Sequence, residues 1–77
     1  MSKLPIIDFA MMDKLLKSLE FEAVRQKGSH VFYRHEDGRT TTVPRHKGRD
    51  LARPLVRSIL QDIELSIDDF NNELQDL

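Results

Sequence analysis

Apolar residues near the start of the chain fall at Phe9, Met12, Leu15, Leu16 and Leu19. That spacing lays one buried stripe along a helix, with Lys14 and Lys17 on the wet side. Asp8 stands just before the stripe and predicts an N-cap, its carboxylate accepting from the free amides of the opening turn. The helix should stop near Leu19–Glu20, where a glycine would be the usual terminator. From Phe21 to Lys27 the pattern becomes an alternation, Phe21, Ala23 and Arg25 against Glu22, Val24 and Gln26, which predicts a first strand. Gly28-Ser29 turns the chain. Residues 30–35, His-Val-Phe-Tyr-Arg-His, are rich in β-branched and aromatic types and predict a second strand. Asp37-Gly38 predicts a two-residue type I′ hairpin, because glycine accepts positive φ. Residues 39–43 return as a third strand, and Pro44, with no N–H for a ladder, closes it.

Beyond the basic loop 45–50 a second helix is expected, with Pro54 in its first turn or an earlier start capped by Asp50. Leu55, Val56, Ile59, Leu60 and Ile63 supply its apolar face. Ser66-Ile67-Asp68-Asp69 resembles a capping box and predicts a short third helix with Ile67, Phe70 and Leu74 inward. Together these elements predict an α+β fold, a two-layer α-β-β-β-α sandwich. Its three-stranded antiparallel sheet carries the two long helices on one face, and a short extra helix follows at the C-terminus.

Seventy-seven residues suffice for one domain with a thin core. Cysteine is absent, which removes disulfide staples and cysteine zinc sites and fits a reducing compartment. No apolar run approaches the ~20 residues of a membrane span, and the N-terminus has no signal-peptide core. The expected protein is cytoplasmic, with no membrane partner.

Charge changes the picture more. The net value of −1 hides a basic middle: from Arg25 to Arg57 nine Lys and Arg residues face three acids, while the rest of the chain has three lysines against ten acids. A basic segment between acidic ends points to a face for a polyanion, although a balanced, solvated surface has the same composition.

The three histidines matter within that segment, because histidine both takes and gives protons near neutrality. Cleavage of RNA without metal needs a base for the 2′-hydroxyl proton and an acid for the leaving 5′-oxygen. It also needs cations for the charge gathering on phosphorus-bound oxygens. His30 follows Gly28-Ser29, where the glycine allows close backbone approach to a phosphate and the serine adds a donor. Arg25, Lys27, Arg45 and Lys47 lie at nearby strand ends when the meander pairs in this order. His46 falls at the return end of the third strand and can approach His30. It is a candidate second proton-transfer group or phosphate contact, the plainer reading being a loop histidine bonded to backbone. His35, near the hairpin tip, reads as a solvated edge residue. The histidine spacings fit no common zinc pattern, so no metal and no cofactor are expected. Neither a nucleophile elbow nor a phosphate-binding P-loop is present.

Four segments in order, residues 21–30 ending in Lys27-Gly28-Ser29-His30, residues 34–39 (Arg-His-Glu-Asp-Gly-Arg), residues 42–46 (Thr-Val-Pro-Arg-His) and Leu55…Arg57-Ser58-Ile59-Leu60, resemble the HicA family of toxins. The likeness runs from about residue 9 to 70. It implies a single HicA-like domain over 1–77 with a double-stranded-RNA-binding-domain-like fold. It further implies a messenger-RNA endoribonuclease whose Gly-Ser-His histidine, here His30, is required. A cognate HicB-type antitoxin that covers the active surface is implied as partner. Two positions depart from the family pattern: Glu20 and Glu64 stand where it often has glycine.

Three functions compete on this sequence. The first is a metal-independent ribonuclease toxin acting through His30, with His46 beside it and Lys27, Gly28, Ser29, Arg45 and Lys47 on the RNA. The second is a non-catalytic RNA-binding module of the same fold, gripping RNA by shape and phosphate contacts. The third is an interaction subunit whose basic face meets an acidic protein.

Overall fold

A computed structural model describes residues 3–77. Its elements run α1 (Phe9–Ser18), β1 (Glu22–Lys27), β2 (His30–Arg34), β3 (Thr40–Pro44), α2 (Arg53–Asp62) and α3 (Ile67–Gln75). Asp8 caps α1 as its position predicts, one carboxylate oxygen accepting from the Met11 amide at 2.9 Å. Met12, Leu15 and Leu16 are fully buried along the stripe, with Phe9 and Leu19 packed at its margins.

Both long helices end in the same device. Glu20 stands at φ 70° and Glu64 at φ 58°. The amides of Phe21 and Leu65 reach back to the carbonyls of Leu16 and Leu60, while those of Glu20 and Glu64 reach Lys17 and Gln61. These are Schellman closures with glutamate in the left-handed position that glycine occupies at least cost. At the other end of α2, Pro54 does lie in the first turn, but Ala52 is the N-cap and no side chain caps it. Asp50 is instead drawn into a bridge with Asp8, and the Leu51 amide donates to the Ile7 carbonyl at 2.8 Å.

The sheet has the order β1-β2-β3 with both pairs antiparallel. Val31, Tyr33, Thr41 and Val43 point under the helices and are buried. The Thr41 hydroxyl donates to the Asp62 carboxylate at 3.0 Å, fixing β3 to α2. Helices therefore cover one face only, as the hydrophobic pattern requires. They lie over the β3 side, and β1 is exposed at all six of its positions.

Two details differ from strict pattern reading. The ladder pairs Ala23 with Tyr33 and then Arg25 with Phe32, leaving Val24 as the extra residue of a β-bulge. The second hairpin is not a two-residue turn. His35 and Arg39 pair by one backbone bond, the Gly38 amide donates to the His35 carbonyl, and Gly38 takes φ 102°. A three-residue loop with glycine in the positive-φ place needs only one such residue, whereas type I′ needs two. Glu36 and Asp37 keep ordinary φ.

Ser66 caps α3, accepting from the Asp69 amide at 3.1 Å. Phe70 is fully buried and Ile67, Leu74 and Leu77 pack on the core, so the C-terminal segment docks on its own chain.

Candidate nucleic-acid interface

His30 opens β2, directly after the two-residue loop Gly28-Ser29. Gly28 has φ 58° and Ser29 does not share that sign, the glycine-first arrangement of a type II′ turn. The ladder sets His30 between Lys27 on β1 and Pro44 on β3. Directly paired residues project to the same face, and Val31 beside it points to the core. His30 thus stands exposed on the face away from the helices. Two residues along, Phe32 lies on that face between Arg25 and Thr42. The Arg25 guanidinium sits 4.7 Å from the centre of its ring. Arg34, Thr40 and Glu22 complete the open face at its other end.

The bulge decides this arrangement. Counted by strict alternation from buried Phe21, both Arg25 and Lys27 would turn toward the helix side. The extra residue Val24 reverses the count, and both cations join His30.

Arg45, His46 and Lys47 fall elsewhere. With Gly48 they line a groove whose opposite wall is Asp8, Phe9, Ala10 and Asp13 at the start of α1. The Arg45 guanidinium lies 5.5 Å from the centre of the Phe9 ring. Asp13 accepts the Tyr33 hydroxyl at 2.6 Å and pairs with Lys17 at 3.0 Å. Burial, and then that bond to Asp13, hold the Tyr33 phenol well above its ordinary range, so it remains a donor; Arg45 pulls weakly the other way. The residues expected to meet RNA therefore form two groups at one end of the sheet. Lys27, Gly28, Ser29 and His30 lie at the first hairpin and the open face, and Arg45, His46 and Lys47 lie in the groove on the helix side. The Arg45 amide donates to the Ser29 carbonyl and joins the two groups.

His35 is not a solvated edge residue. Its side chain is only 14% exposed. The ring meets Phe21 edge-on at 5.1 Å, and its Nδ1 accepts from the Asp37 amide at 3.1 Å. It organises the 35–39 loop. Phe32 and Arg34 were not singled out from the sequence, yet a count of two along the strand from His30 puts both on its face. Among the described residues no three His, Asp or Glu side chains gather as a metal site requires.

The arrangement offers an imidazole in solvent, a neighbouring ammonium, and a turn in which Gly28 is exposed and Ser29 half-buried. A family model described as HicA toxin of bacterial toxin-antitoxin matches residues 11–65. That span takes in nearly all of α1, the whole sheet, the groove loop and α2. No curated protein matches the chain. With the matched span covering every candidate residue from Lys27 to Lys47, the chain belongs to the HicA family of toxins.

Proposed function

We infer that this toxin is a metal-independent endoribonuclease of messenger RNA in which His30 is the general acid/base. The observation that carries the reading is the setting of His30, fixed by a ladder on two sides, open to solvent, and paired across the strand with Lys27. A neutral imidazole there takes the 2′-hydroxyl proton, and the freed oxygen attacks the adjacent phosphorus. The bond to the 5′-oxygen breaks as the imidazolium so formed gives that oxygen its proton, leaving a cyclic phosphate on the upstream fragment. Lys27, and the backbone and hydroxyl of the Gly28-Ser29 turn, offset the charge on the phosphorane oxygens. The groove position of His46, beside Arg45 and Lys47, favours contact with a neighbouring phosphate over a proton transfer at the same one. A HicB-type antitoxin is the partner that keeps such an enzyme silent, and the cytoplasm is where both would act.

The test compares the parent chain with His30→Ala on a labelled messenger RNA in EDTA. Cleavage by the parent, its loss by at least about a hundredfold in the variant, and retained RNA binding by both are expected. Equal cleavage by the two would remove His30 from the chemistry. Binding without turnover by either would make the protein an RNA-binding module.

A further inference from the structure

The open face of the sheet carries an aromatic ring at its centre. Phe32 lies on the middle strand, on the side that no helix covers, and is only half-buried. Aromatic residues suit strands in general, so the ring alone says little. Its surroundings say more. Among the strand residues of this face, Arg25, Lys27 and Arg34 stand against Glu22, with Thr40 and Thr42 as hydroxyl donors. Arg25 already lies over the ring. His30 is two residues from Phe32 on the same strand, roughly 6.6 Å along it.

We propose that Phe32, with Arg25, is a base-stacking shelf for single-stranded RNA, seating the nucleobase next to the phosphate at which His30 transfers protons. This rests on the reading of His30 as an RNA-cleaving residue and adds the kind of RNA and the place of one base. An unpaired base has a free face to lay on a phenyl ring, and such stacking tolerates any sequence. Lys27 and Arg34, on either side of the shelf, hold the flanking phosphates. A duplex keeps its bases inside the helix and offers the ring nothing. The fold's name suggests a grip on double-stranded RNA, and on this proposal its open sheet face selects against it.

The probe is an eight-nucleotide RNA with every ribose 2′-O-methylated, so that it cannot be cut, and one 2-aminopurine base. Binding to the parent chain is followed by anisotropy and by the quenching that accompanies stacking, with the strand alone and annealed to its complement. The strand alone should bind more tightly and be quenched. Phe32→Ala should weaken binding about tenfold and abolish quenching. Phe32→Trp should keep both, and Phe32→Leu, which keeps most of the apolar volume at a half-buried position without a π-face, should lose quenching while staying close to the parent's melting temperature. Preference for the duplex, or quenching unchanged in Phe32→Leu, would overturn the shelf. A parent that cuts natural RNA while failing this test loses the shelf and keeps the nuclease. A parent that passes it without cutting natural RNA keeps the shelf and loses the nuclease.

Discussion

Two glutamates sit where the backbone wants a residue without a β-carbon. Glu20 and Glu64 hold positive φ at the ends of α1 and α2, and each left-handed side chain costs about 1 kcal/mol against glycine. Glu20→Gly and Glu64→Gly should each raise stability by about that amount. In a domain of this size that corresponds to a gain of about 4–8 °C in melting temperature, read by circular dichroism with cleavage unchanged. Glu20 was visible in the sequence as the place where the first apolar stripe stops, whereas Glu64 stood out only through the family resemblance, which often has a glycine there. The role of His35 was not. Its burial depends on Phe21, fourteen positions earlier, meeting it across the β1–β2 pair, and no local pattern records that contact.

At the scale of elements, the order and the caps of α1 and α3 were legible because each rests on neighbours in sequence, while the Asp50 cap offered for α2 was not formed. Asp8 and Ser66 cap as read, and the stripe residues are buried. The Val24 bulge was hidden, since an inserted residue with ordinary φ leaves no glycine or asparagine to mark it. That omission reaches the site, because the bulge turns Arg25 and Lys27 to the face of His30. His30 and Lys27 could be placed together from the Gly28-Ser29 turn alone. Arg45 and Lys47 were read as their companions, and they lie on the loop against α1 instead. If RNA runs from the sheet into that groove, Lys27→Ala and Arg45→Ala should each flatten the dependence of log affinity on log salt by about 0.7 for a single strand. A slope altered by Lys27→Ala only would confine the RNA to the sheet. Titration of a short RNA against potassium chloride measures both.

The whole molecule is a sheet roofed on one side with α3 tucked against its core. Phe70 is the fully buried residue of α3, and it lies beyond the family match, which ends at residue 65. Removing its ring should cost about 3–5 kcal/mol, a large share of what so small a domain commands. Urea denaturation of Phe70→Ala should show a midpoint far below the parent's. A shift of less than 1 kcal/mol would mean that α3 is an ornament on a self-sufficient fold. The same roof has an uneven reach. It shelters β2 and β3, while β1 has β2 as its hydrogen-bonded neighbour and water on both faces. A strand so held opens well before the core does. Arg25 and Lys27 travel with it, so on warming the cations leave His30 while the helices are still packed. On the proposed reading of His30 and Lys27, heat would disarm this protein in a state that still passes for folded, and cooling would re-arm it by closing one hairpin, with no need to rebuild the core.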